Sequence, residues 1–133
     1  MGDKRVLELS EEFSVLIVDD SDFMVQNLER MMGSFGCEVV GTAKDGIEAV
    51  EQVENHAEDL DFVTLDITMP EMDGIEALEK IKEIAPNMTV IMVSAMGQEG
   101  TVKECIAKGA DHFIVKPFER EEVFEKLNKI LGD

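Results

Sequence analysis

Apolar residues in this chain follow two alternating patterns. Runs at 14–18, 38–42, 62–65, 89–93 and 112–115 are almost continuously apolar and rich in β-branched residues. Short runs without a polar face predict strands covered on both sides. Between them apolar residues return every three or four positions, which predicts helices. The first helix starts near Ser21, carries Met24, Leu28, Met31, Met32 and Phe35, and is weakened by Gly33 and ended by Gly36. The next two present Ile47, Val50, Val53 and Ala57, then Ile75, Leu78, Ile81 and Ala85. A fourth carries Val102, Cys105 and Ile106 and is closed by Gly109. The last, over 119–131, carries Val123, Phe124, Leu127, Ile130 and Leu131. Asp45 with Glu48 reads as a capping box, its five letters Asp-Gly-Ile-Glu-Ala recur at 73–77, and Thr101 with Glu104 suits another box.

Strands alternating with helices over short connections predict an α/β fold, a parallel sheet with helices on both faces. Right-handed crossovers leave few topologies. Residues 1–12 read as a charged N-terminal lead-in and 13–133 as one domain, long enough for a core without staples.

Thirty acidic residues against twelve basic ones give a net charge of −18. Such a surface repels phosphate backbones and anionic lipid, which argues against nucleic-acid or membrane partners. Most of the charge, such as Glu48, Glu51, Glu54 and Glu58, belongs to solvated helix faces. No apolar run reaches the ~18 residues of a membrane span, and the first twelve residues are too charged for a signal peptide. A cytoplasmic location is expected. Cys37 and Cys105 fit no metal spacing and read as free thiols near the core. His56 and His112 lack companions for a zinc site.

The reactive groups stand where strands end. The first run delivers Asp19-Asp20, the third Asp66 and the loop to Gly74, the fourth Ser94, and the fifth Lys116-Pro117. Open α/β sheets hold their ligands on that rim. At ~4 Å and an effective dielectric of ~20, each pair of like charges costs about 4 kcal/mol. The acids must therefore bind a cation, keep a proton or lean on Lys116. All-oxygen ligands in a partly open site favour Mg²⁺ over Ca²⁺. Asp19 or Asp20 also suits an N-cap, so one of them has a purely structural alternative. A carboxylate beside Mg²⁺ is a competent nucleophile toward phosphorus, with metal, lysine and hydroxyl sharing the charge of the transferred group.

These residues resemble response-regulator receiver domains, most of all the single-domain chemotaxis regulators. The likeness runs from about Ser14 to Leu131 and is carried by Val18-Asp19-Asp20, Asp66 with Met69-Pro70 and Asp73-Gly74, Ser94-Ala95, and Lys116-Pro117-Phe118. It implies a doubly wound, five-stranded, flavodoxin-like sheet of order 2-1-3-4-5, an order that comes with the resemblance and not from the residues. It implies that Asp66 is the phosphoacceptor. Mg²⁺ would lie on Asp20, Asp66 and the backbone carbonyl of Thr68, with Asp19 helping through water. Lys116 would contact the phosphoryl group and precede a cis peptide to Pro117. Ser94 would move toward the phosphoryl group, Phe113 would be the switch aromatic that turns inward with it, and Thr68 and Met96 would tune phosphoryl lifetime. Two positions depart from the common pattern: Phe113 stands where tyrosine is frequent, and Ser94 where threonine is. Phenylalanine cannot make the hydroxyl bond that tyrosine offers a partner.

The partners so implied are a histidine kinase as donor, a protein output target such as the flagellar motor switch, and a phosphatase. The stop at Asp133, directly after the last helix, leads us to expect no output domain in cis and no enzyme beyond self-phosphorylation and autodephosphorylation. A phosphorelay intermediate or another single-domain receiver is the nearest alternative. From a different class, Asp20-Ser21-Asp22 resembles the motif of haloacid-dehalogenase-type phosphatases, with Asp20 as nucleophile and Asp22 as general acid. That reading leaves no room for a cap and no purpose for Asp66-Met69-Pro70. A flavodoxin-like cofactor binder would need a glycine-rich phosphate loop after the first strand, which the sequence lacks.

Overall fold

The computed structural model describes residues 7–132. Each continuous apolar run forms a strand: β1 (Ser14–Val18), β2 (Glu38–Ala43), β3 (Phe62–Leu65), β4 (Thr89–Ser94) and β5 (His112–Val115). The periodic stretches form α1 (Asp22–Ser34), α2 (Gly46–His56), α3 (Gly74–Ile84), α4 (Glu99–Ala107) and α5 (Arg120–Leu131), with a short 3₁₀ turn at Ala57–Asp59. All pairings are parallel and the order is β2-β1-β3-β4-β5, as the resemblance implies.

Why the strands are apolar throughout is visible in the layers. Leu16, Val18, Val63, Leu65, Val90 and Met92 face α2, α3 and α4, where Ala49, Val53, Leu78, Ile81 and Cys105 meet them. Their neighbours Val15, Ile17, Phe62, Ile91, Val93 and Ile114 face the other way, onto Val25, Leu28 and Met32 of α1 and Val123 and Leu127 of α5. Each fully buried aliphatic side chain contributes about 1.5–3 kcal/mol, so two cores share one sheet and neither face is dispensable.

Side-chain caps start three of the helices. Ser21 Oγ accepts from Met24 N at 3.2 Å, Asp45 Oδ1 from Glu48 N at 2.8 Å, and Asp73 Oδ1 from Glu76 N at 2.9 Å. Gly36 (φ 92°) and Gly109 (φ 110°) provide the left-handed backbone that turns the chain out of α1 and α4.

Some stripes are rotated from the expected ones. In α2, Ile47 is 46% exposed while Ala49 and Val53 are buried. The small residues Gly46 and Ala49 let that helix approach closely, which swings Ile47 outward. In α1, Val25 and not Met24 or Met31 completes the buried face. In α4 only Cys105 is buried and Ile106 is 47% exposed. The Thr101–Glu104 box does not form. The helix begins earlier, behind Gln98, whose carbonyl accepts from Val102 N at 3.0 Å, so Thr101 already lies inside the first turn.

Of the lead-in, residues 1–6 fall outside the described residues. Leu7 and Leu9 are each 6% exposed and pack into the α1–α5 core, and Leu9 N–H donates to Phe35 O at 2.9 Å. This part of the lead-in belongs to the fold. Leu9→Ala is expected to lower unfolding free energy by about 2–3 kcal/mol in urea titration; an unchanged midpoint would show that the segment is only appended.

Candidate functional site

The ladder of the sheet runs on for one residue past the strands, and that residue is each time a charged one. Asp19 N–H donates to Ala43 O (3.0 Å), Asp66 N–H to Val18 O (3.0 Å) and Lys116 N–H to Ser94 O (2.9 Å). Since β1 and β3 are neighbours about 4.8 Å apart, their terminal carboxylates are forced together. Oxygens of Asp19, Asp20 and Asp66 all lie within 4.8 Å of one another. Asp19 is 1% and Asp66 7% exposed, whereas Asp20 is exposed at the mouth.

Each buried acid is held at both oxygens. Asp19 Oδ1 accepts from Ser21 N at 2.9 Å and Asp66 Oδ1 from Ile67 N at 2.8 Å. Lys116 Nζ takes the remaining pair, 2.8 Å from Asp19 Oδ2 and 3.4 Å from Asp66 Oδ2. One ammonium thus serves two of the three carboxylates. Burial pushes the Asp66 carboxyl above the ordinary carboxylate range; Lys116 pulls it down, Asp19 pushes it up again, and the Ile67 amide pulls it down. The donor set is oxygen only and short of positive charge, which fits a hard divalent cation.

Of the other residues singled out by the sequence, Ser94, Thr68 and Met96 meet at the same rim. Ser94 is buried at the end of β4, its Oγ accepting from Met96 N at 3.1 Å. Thr68 Oγ1 donates to Met96 Sδ at 3.3 Å, joining the loop after β3 to the loop after β4. The Lys116–Pro117 peptide is cis, as the resemblance implies. Phe113 is 5% exposed and packed in the core on the α2–α4 side, so its ring is turned inward. Both cysteines are free and buried.

Three features escaped the sequence reading. Gly74 N–H bonds Ile67 O at 2.7 Å, and a Cβ there would lie 1.9 Å from the carbonyl oxygen of Asp66. The Asp73-Gly74 pair was legible as a helix start, but the need for glycine is steric. Glu71 adopts φ 66° in a tight turn closed by Met72 N to Pro70 O at 2.8 Å. A non-glycine residue in this region costs roughly 1–2 kcal/mol, and glutamate gives no signal of it. Thr64, on the Asp66 face of β3, buries a hydroxyl without a partner among the described residues.

Two outcomes test this geometry. Because burial raises the Asp66 pKa, its ionisation opposes folding: the favourable state is the protonated one, lost as pH rises through the folded value. Metal-free Asp66→Asn should therefore be more stable than wild type at neutral pH by on the order of 1 kcal/mol, with the gain fading as acid protonates the wild type. Denaturant midpoints across pH check it; a less stable variant would mean that the Lys116 pair dominates. Gly74→Ala should cost about 3 kcal/mol or more by the same measurement and weaken Mg²⁺ binding in calorimetry.

In sequence and fold the chain is similar to known proteins. The sequence family described as the response regulator receiver domain matches residues 15–128. The chemotaxis protein CheY of Bacillus subtilis (strain 168) is 50% identical over 118 residues, 89% of this chain and 97% of that protein. Chemotaxis protein CheY of Halobacterium salinarum is 41% identical over 117 residues, 88% and 95% of the two chains. Among solved structures, a chain of the CheX–CheY–BeF3–Mg+2 complex from Borrelia burgdorferi superposes with a TM-score of 0.88 at 49% identity, covering 91% of this chain and 90% of that one.

Proposed function

This chain belongs to the response regulator receiver family, and from that premise we infer that it is a phosphorylation switch centred on Asp66 within a receiver domain spanning 13–133. The observation that carries the reading is the double restraint on Asp66, one oxygen fixed by a backbone N–H and the other 3.4 Å from an ammonium, beside two further carboxylates.

Asp66 Oδ2 is the nucleophile. It attacks the phosphorus of a phosphohistidine or a small acyl phosphate; the P–O bond to Asp66 forms as the donor's bond to phosphorus breaks, and the leaving group keeps the electron pair. Lys116, already between Asp19 and Asp66, follows one phosphoryl oxygen, and the Ser94 hydroxyl donates to another. Asp19, Asp20, Asp66 and the backbone carbonyl of Thr68 would hold Mg²⁺, which supplies neutralisation of the transferred charge. Attack of water on the acyl phosphate resets the switch, and Thr68 and Met96 stand where they tune its rate.

The phosphorylated state is read by a protein. Ile106 of α4 and Val115 of β5 are 47% and 40% exposed, which makes the α4–β5–α5 face the apolar candidate for that contact. Phe113, inward and without a hydroxyl, contributes packing to the switch and no hydrogen bond to the partner. Similarity to chemotaxis proteins over nearly their full lengths supports a chemotaxis regulator. In that setting a histidine kinase is the donor, the flagellar motor switch the target, and a phosphatase the antagonist. No helix among the described residues is long and apolar enough to cross a membrane, which accords with action in the cytoplasm.

The test is intact mass after incubation with acetyl phosphate and Mg²⁺. One added phosphoryl group is expected in the wild type and none in Asp66→Asn or without metal. Label retained by Asp66→Asn and lost in Asp20→Asn would overturn the switch in favour of an Asp20 phosphatase.

A further inference from the structure

Met96 is tied to both loops that flank the phosphoacceptor. Its amide donates to Ser94 Oγ at 3.1 Å, and its sulfur accepts from Thr68 Oγ1 at 3.3 Å. It is also the one exposed methionine among the described residues, at 39%. Met32, Met69, Met88 and Met92 are buried, and Met24, Met31 and Met72 are half-buried. The other oxidisable sulfurs are withdrawn: Cys37 and Cys105 are buried, and burial pushes the Cys37 thiol up to about 11 and the Cys105 thiol in the same direction. Thiols held protonated react slowly with peroxides, since the thiolate is the nucleophile.

We propose that Met96 is an oxidation site through which a peroxide slows the switch, an inference that rests on Asp66 being the phosphoacceptor. The thioether sulfur attacks one peroxide oxygen with its lone pair, and the O–O bond breaks. An S–O bond forms, and the departing hydroxide takes the proton from the oxygen now on sulfur and leaves as water. Sulfur is oxidised to the sulfoxide and the peroxide is reduced. A thioether is a weak hydrogen-bond acceptor, whereas the sulfoxide oxygen is a strong one. Thr68 Oγ–H, already aimed at this side chain, donates to it and binds the loop after β3 to the loop after β4. The strands that carry those loops, β3 and β4, are neighbours, so binding the loops together narrows the approach to Asp66 for donor and water alike. Phosphorylation and dephosphorylation therefore slow together, by about fivefold if the gain is that of one hydrogen bond.

The experiment treats wild type, Met96→Leu and Thr68→Val with hydrogen peroxide, each compared with its own untreated sample. Peptide mapping follows the site of oxidation, acetyl phosphate labelling follows gain and loss of the phosphoryl group, and hydrogen exchange follows the amides of 94–98. Oxidation first at Met96, both rates lowered in the wild type alone, and exchange slowed in the wild type alone are the expected results. Oxidation first at another methionine, or rates and exchange unchanged by it, would overturn the inference. If the untreated protein takes up no phosphoryl group, the reading of Asp66 has failed. Exchange still decides the loop closure: slowing in wild type but not Thr68→Val upholds it, and equal exchange removes it.

Discussion

The rest of the site depends on one ammonium shared by two buried carboxylates. Lys116 reaches Asp19 and Asp66 from beyond an intervening strand, because β5 lies at the sheet edge with β4 between it and β3. Without that cation, Asp19 and Asp66 would face each other nearly desolvated, at a cost no domain of this size sustains comfortably. With it, two of three negative charges remain uncompensated. The site thus keeps a net negative charge that a hard divalent cation would offset. The sheet order makes this arrangement possible: parallel strands bring separate sequence segments to one rim, and a backbone bond one residue past β1, β3 and β5 fixes where Asp19, Asp66 and Lys116 depart.

Much of this is legible in the sequence. Continuous apolar runs gave strand limits to within a residue because burial on both faces leaves no polar position to blur them. The acids, Ser94 and Lys116 were legible because each immediately follows such a run. Helix faces were harder. Periodicity placed Ile47 in the core on hydrophobicity, but α2 lies so close to its neighbours that Gly46 and Ala49 take the inner positions. Size, which hydrophobic pattern ignores, decided that face. The start of α4 was missed because backbone hydrogen bonds made an earlier turn available and no side-chain cap marks it. The alternation Leu7-Glu8-Leu9 was a small signal hidden in a charged stretch, and its burial could be known only from the space left beside Phe35.

The strong acidity of the chain has little part in the site itself. Lysines 44, 103 and 126 make exposed or partly exposed ion pairs, each weak and all screened by salt. The excess of acid over base is spread over solvated faces, where it sets solubility and the sign of a partner's surface. Among the described residues, three acids close enough together to hold a metal ion occur only at the rim, at Asp19, Asp20 and Asp66.

The paired Asp-Gly-Ile-Glu-Ala segments have a consequence beyond helix initiation. A Cβ at Gly74 would strike the carbonyl oxygen of Asp66, and one at Gly46 would come within 2.4 Å of the carbonyl oxygen of Met72. Gly46 N–H also bonds that Met72 oxygen, at 3.0 Å. The backbone of residue 66 is therefore the seat of α3, and the loop leading into α3 is the seat of α2. At Gly74 the nearest atoms are all backbone, and at Gly46 the stem of the Met72 side chain lies beside the carbonyl. The start of α3 is therefore set by the backbone at residue 66, and the start of α2 by the backbone at residue 72.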